Sequence, residues 1–308
     1  MKSGGDCLAG GEKPGVALDL EVAEMATNRR VSEFSIIFRQ FKRNRGAIIG
    51  LCMLVLFVLC GIFAEFLAPF DPLELGSDLL AEPSSKHLMG TDPMGRDMLS
   101  RILFGARISL TVGFIAVGIA ILVGTTIGMI GGYFGGRADA IVVMFLDVML
   151  AFPGLLLALT IAATLGPSLR NVMIAVGIGN VPTFARVIRS SALVEKEREY
   201  VIAAKVIGCG HGRIIVRHIF PNSIASLIVL ATLNIGWAIL SAASLSFLGL
   251  GAQPPTPEWG NMASTGREYL HRAPWLIGFP GLAIMITVLA ANLLGDGLRD
   301  ALDPRLRM

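Results

Sequence analysis

Six separate stretches of this chain are apolar enough, or nearly so, to cross a lipid bilayer. A helix needs about 20 consecutive apolar residues for that crossing. The hydrocarbon core offers no water to a free peptide group, so each crossing has to close its hydrogen bonds internally. The stretches cover about 46–68, 108–131, 140–165, 171–188, 223–250 and 275–295. The third is split by Pro153, and the fourth, with Gly177, Gly179 and Pro182 inside it, is the weakest. Composition agrees: 54% of the residues are hydrophobic and 16% are charged, where a soluble domain carries about 25% charged residues. The expectation is an all-α, polytopic membrane protein with six transmembrane helices.

Six crossings place both termini on one side of the membrane, and Lys/Arg placement predicts which. With the N-terminus inside, 19 of the 26 Lys and Arg residues fall in cytoplasmic segments and 7 in external ones. The expected topology is N-in/C-in. The first stretch begins too late and runs too long for a cleaved signal sequence. The expected organisation is a flexible cytoplasmic tail (1–30), a basic anchor with the first helix (31–70) and an external loop (71–107). A core with five helices (108–298) contains a cytoplasmic loop at 190–222, and a C-terminal tail (299–308) closes the chain.

Within the core, Gly124, Gly128 and Gly132 recur every four residues, the spacing at which helix backbones approach closely. Pro153, Gly177 and Pro182 interrupt spans, as in the broken helices that line transport paths. Asp147 is the one acid well inside an expected span. Such a residue is expensive in lipid, so it either lines a path or bonds to a neighbouring helix. Asp147 and Pro153 are the candidate pathway or helix-contact residues.

The segment Ser190–Ser223 reads as a helix carrying Ala203 and Ala204, a turn built on Gly208, Gly210 and Gly212, and a second short helix at about 213–220 that stops at Pro221. It is too long to be a plain connector. Its small-residue face suits insertion into a partner's groove, while an amphipathic helix lying on the membrane suits it equally. Elsewhere, Asp92 is expected to cap a following helix. Gly95, Arg96 and Asp97 open the polar face of an external helix. Pro254–Pro257 reads as a rigid extended stretch.

The loop resembles a known signature. Ala203-Ala204-Lys205-Val206-Ile207-Gly208, followed by Ile214, His218 and Pro221, is similar to the EAA motif of ABC importer permeases, departing from it at Ile202, where the pattern prefers Glu. The segments His87–Leu110, Ser244–Gly260 and Asn292–Arg307 resemble the C-type permease subunits of dipeptide and oligopeptide importers. The resemblance spans about 30–308. It implies a type I (MetI-like) importer permease fold in a bacterial cytoplasmic (inner) membrane, transporting dipeptides or oligopeptides. The implied ATPase-coupling residues are Ala203, Ala204, Lys205, Gly208, Arg213, Ile214, His218 and Pro221. The implied partners are a sister (B-type) permease subunit, two ATP-binding subunits and an extracytoplasmic substrate-binding protein.

What the chain lacks fits that division of labour. A phosphate-cradling loop ends in Gly-Lys-Ser/Thr, and no lysine here follows a glycine. ATP and Mg are therefore expected on partner subunits, with no cofactor on this chain. His87, His211, His218 and His271 are scattered without ligand spacing, Cys7, Cys52, Cys60 and Cys209 form no CxxC pair, and no metal site is expected. No basic tract with interleaved aromatics suggests a nucleic-acid partner. An enzyme is not expected, as no nucleophile–base pair suggests a membrane hydrolase. The alternative is a stand-alone ion-coupled secondary transporter in which Asp147 titrates.

Overall fold

A computed structural model describes residues 38–302; the expected N-terminal tail and most of the C-terminal tail lie outside them. Among the described residues there are helices and a single isolated bridge, Thr91 with Asp97, but no strand. Five helices are long and apolar enough to cross a membrane: α1 (Arg45–Ile62), α2 (Met98–Phe134), α5 (Leu169–Glu195), α7 (His211–Phe247) and α9 (Trp275–Leu302). Between α2 and α5 lie α3 (Gly136–Leu150) and α4 (Gly154–Leu165), bent by 85° at a break of a few residues; counted as one span, they make six. Pro153 sits at this break as the residue before α4. Its missing N–H and its ring prevent α3 from continuing. Two shorter helices, α6 (Glu199–Val206) and α8 (Trp259–Gly266), lie between spans.

α2 is the axis of the bundle. Its 37 residues extend about 55 Å at 1.5 Å per residue, well beyond the hydrocarbon thickness. It starts at Met98, so residues 98–107 form the first turns of the spanning helix itself, not a separate external helix. Asp97, not Asp92, caps it: the Asp97 carboxylate accepts the Ser100 N–H at 2.8 Å. At the far end Gly135 and Gly136 adopt φ of 68° and 53°, turning the chain into α3.

α5 packs along α2, and the glycine stripe permits this. A β-carbon at Gly124, Gly128 or Gly132 would meet α5 atoms at 2.7, 2.4 and 2.7 Å. The stripe is therefore used up inside this chain. α1 lies against α9 in the same manner, with Gly50 facing the Ala290 carbonyl. The central core draws Val112, Ala116, Phe184, Ile239 and Ala290 from α2, α5, α7 and α9.

Candidate partner-docking loop

The two ends of the bundle are built differently. At one end, the chain between α5 and α7 carries α6. Arg198 precedes α6, and Val201 and Ala204 turn inward, fully or nearly buried. They join Tyr133 of α2, Ile188 and Ala192 of α5, and Ile214 and Ile219 of α7 in a separate apolar cluster. The small side chain of Ala204 lets α6 lie close to those helices. The opposite side of α6 and the turn after it do not pack. Ile202, Val206 and Ile207 are 47%, 81% and 79% exposed, and Val216 on α7 is 67% exposed.

Gly208 ends α6. Its φ is +82°, its N–H bonds to the Lys205 carbonyl at 3.0 Å, and the Cys209 N–H reaches the Ala204 carbonyl at 3.0 Å. This is the paired helix-stop pattern in which glycine is strongly preferred. Nothing lies within 4 Å of the position a β-carbon would take at Gly208, Gly210 or Gly212. His211 then opens α7, its Nδ1 2.8 Å from the Tyr133 hydroxyl. The Lys205 ammonium lies 5.9 Å above the Tyr133 ring.

The expected second short helix does not stop at Pro221. His211–Phe247 runs on as one span, with Pro221 in its interior. The missing proline N–H is accommodated because Ile215–Ile219 widens to a π-helix, in which the Phe220 N–H bonds to the Ile215 carbonyl. Of the predicted coupling residues, Ala203, Lys205, Gly208, Arg213 and Pro221 lie on the exposed side. Ala204 and Ile214 are buried, and His218 is half-buried. The eight residues thus occupy one loop but divide into a presenting set and an anchoring set.

Three residues that sequence reasoning passed over complete the loop. Tyr133 anchors its start. Tyr200 on α6 donates to the Glu195 carboxylate at the end of α5, and Asn222 on α7 donates to the Tyr200 hydroxyl at 3.0 Å. Burial, with the Glu195 hydrogen bond adding to it, pushes the Tyr200 phenol up to about 12. The chain has only 3 tyrosines, and two of them gather here, a signal the sequence did carry.

Asp147 and Pro153 lie elsewhere. Asp147 pairs with Arg186 of α5 at 2.6 Å, with both side chains 56% exposed. A second pair, Asp139 with Arg189, is bidentate at 2.5 and 2.7 Å on the same two helices. Asp147 therefore does bond to a neighbouring helix, and Pro153 is exposed at the α3–α4 elbow. No group of three or more His, Cys, Asp or Glu side chains among the described residues is placed to hold a metal ion.

The opposite end of the bundle is closed by a buried polar cap. Asp92 accepts from Arg96 Nε at 2.6 Å and lies 3.7 Å from Arg101 Nε. Arg101 donates to the carbonyls of Pro72 and Pro255 at 3.0 and 3.3 Å. The His87 ring lies 2.9 Å from Asp97. Glu258 accepts the N–H groups of Gly260 and Asn261 at 2.9 Å each, capping α8. Burial pushes its carboxyl up, against those hydrogen bonds. Trp259 is fully buried and donates to the Ile102 carbonyl at 3.1 Å. The expected extended stretch at Pro254–Pro257 contains a turn, closed by the Thr256 N–H on the Gln253 carbonyl at 3.1 Å, with a cis Pro254–Pro255 bond.

Comparison with known proteins bears on the same regions. Residues 124–308 match the family model "Binding-protein-dependent transport system inner membrane component". Residues 32–83 match "N-terminal TM domain of oligopeptide transport permease C". The dipeptide transport system permease protein DppC of Alkalihalophilus pseudofirmus is 51% identical over 278 residues, covering 90% of this chain and 91% of that protein. The di/tripeptide transport system permease protein DppC of Pseudomonas aeruginosa is 46% identical, covering 88% and 91%. The glutathione transport system permease protein GsiD of Pectobacterium atrosepticum is 46% identical, covering 88% and 90%. Among solved structures, an inward-facing methionine ABC transporter matches with a TM-score of 0.54 at 16% identity, over 66% of this chain and 97% of that one.

Proposed function

Because this chain belongs to the family of binding-protein-dependent transport inner-membrane components and is a non-catalytic permease subunit of an ABC importer, we propose that it forms half of a path for short peptides and takes its driving force through the Gly208 loop. The observation that carries the coupling claim is the loop's division of labour. Ala204 and Ile214 fasten it to three spans, while Ile202, Val206 and Ile207 stand out with nothing of this chain to cover them. Exposed apolar side chains beside a polar rim suit a protein groove better than water.

The partner at this loop is one of two ATP-binding subunits, which hold the ATP and Mg that this chain has no Gly-Lys loop to cradle. A sister B-type permease completes the path, and an extracytoplasmic binding protein delivers the substrate. The 19-to-7 charge split supports N-in/C-in topology, with the loop inside and the polar cap outside a bacterial cytoplasmic membrane. The relatives' names support dipeptides and similarly small peptides as cargo. The stand-alone ion-coupled reading is disfavoured by family membership and by Asp147, whose carboxylate is already tied to Arg186.

The test is co-purification together with uptake. The tagged chain should bring down a second permease and two ATPase subunits. Gly208→Asp should abolish labelled-dipeptide uptake while leaving the protein in the membrane. Wild-type uptake by that variant would overturn the coupling claim.

A further inference from the structure

The loop contains two soft elements in series. The covalent route from α6 runs through Gly208, Cys209 and Gly210 into the first turn of α7 at Gly212, and nothing lies within 4 Å of a β-carbon position at any of these three glycines. α7 then passes through the π-helix at Ile215–Ile219 before becoming a regular α-helix at Phe220. π-helical turns, with their i→i+5 bonds, are local interruptions of the α-helix. α6 has 8 residues and buries only Val201 and Ala204. A displacement of α6 sent along this covalent route has to pass three glycines and the π-helix before it reaches the regular part of α7.

Beside the apolar packing of Val201 and Ala204, a polar side-chain network bypasses both elements. Tyr200 stands at the start of α6. Its hydroxyl donates to Glu195, the last residue of α5, and accepts from Asn222 Nδ2 at 3.0 Å. Asn222 lies beyond the π-helix, on the regular α-helical part of α7, and its Nδ2 also donates to the His218 carbonyl at 2.6 Å. The His218 ring in turn lies 6.3 Å, centroid to centroid, from the Tyr200 ring. The other anchor of the loop, Tyr133 with His211, meets α7 before the π-helix and so leaves that segment in the route.

We propose that Tyr200 and Asn222 are positioning residues for coupling, a strut that transmits movement of α6 directly to the spanning parts of α5 and α7. The inference rests on the importer reading and adds to it which side chains carry the movement.

The test uses the complete complex, with sister permease, both ATPase subunits and binding protein, in proteoliposomes. The readout is ATP hydrolysed per dipeptide imported. Tyr200→Phe removes the hydroxyl and keeps the ring. It should leave ATP hydrolysis near wild type and raise ATP per peptide at least about threefold, a lower bound for losing the two hydrogen bonds of the hydroxyl. Asn222→Ala should raise the ratio as well, and the double variant should be no worse than Tyr200→Phe alone, because that variant already breaks the Asn222 link. Glu195→Gln, which retains an acceptor, should stay near the wild-type ratio. An unchanged ratio in Tyr200→Phe and Asn222→Ala would overturn the inference, whether both rates are normal or fall together. So would failure of both variants to assemble, which would make the network structural. Absence of ATP-driven uptake in the wild-type complex would take down the importer reading and the inference with it.

Discussion

The polar cap and the Gly208 loop invert the usual placement of residues in opposite ways. In the cap, charges are inside: Asp92, Arg96, Asp97, Arg101 and Glu258 are all buried. In the loop, apolar side chains are outside: Val206 and Ile207 are among the most exposed large hydrophobics of the described residues. Each inversion carries a cost, and the structure offsets only the first of them internally. The cap meets its buried charges with carboxylates, carbonyls and N–H groups from four segments of the chain. The loop leaves its apolar ridge uncovered by the described residues of this chain, and the proposed docking on another polypeptide would offset that cost.

That contrast predicts separate phenotypes. The largest effect falls in the cap. Asp92→Ala leaves Arg96 and Arg101 without their carboxylate in a buried site, and we expect a loss of about 3–5 kcal/mol of stability. Thermal unfolding in detergent measures it, and a value near zero would mean that the cap is open to water. Next comes Trp259→Ala, which empties a fully buried site and removes the indole hydrogen bond to the Ile102 carbonyl. About 3 kcal/mol is expected at the lower end for such truncations. The loop behaves otherwise. Val206→Asp and Ile207→Asp should change stability by no more than about 0.5 kcal/mol, as exposed substitutions do, yet weaken capture of the ATPase subunits in a pull-down at least about tenfold, the cost of placing a carboxylate in an apolar groove. Retained capture would show that the ridge lies on lipid instead. The smallest effect is expected at Asp147→Asn, since its pair with Arg186 is more than half exposed and worth about 0–1 kcal/mol.

The same contrast separates what the sequence revealed from what it concealed. Mean hydropathy located the spans, and Pro153 marked the break between α3 and α4, because both signals are local. The Gly124, Gly128 and Gly132 stripe announced a close helix contact, though not that α5 would fill it. The cap was hidden because its logic is long-range. The sequence points to Asp92 as the cap and to Asp97 as part of a polar face, whereas Asp97 is the cap and Asp92 an ion-pair partner. Asp92 is taken up by Arg96 at 2.6 Å and by Arg101 at 3.7 Å, and the Arg101 side chain ties that pair to the Pro255 carbonyl 154 positions away, while Asp97 is left for the helix end. The loop was half legible. Its glycines and alanines pointed to a docking element, but Pro221 was misread as a stop because a π-helix can accommodate a missing N–H. Tyr200 went unnoticed because its two partners come from other helices.

The central claim is that this chain moves peptides only when another protein supplies the energy through the Gly208 loop. The direct measurement is uptake of a labelled dipeptide into proteoliposomes, comparing this chain alone with the complete complex containing its ATPase subunits, sister permease and binding protein. We expect uptake only in the complex, dependent on ATP and lost in Gly208→Asp. Uptake by the chain alone, driven by a proton gradient and lost in Asp147→Asn, would contradict it.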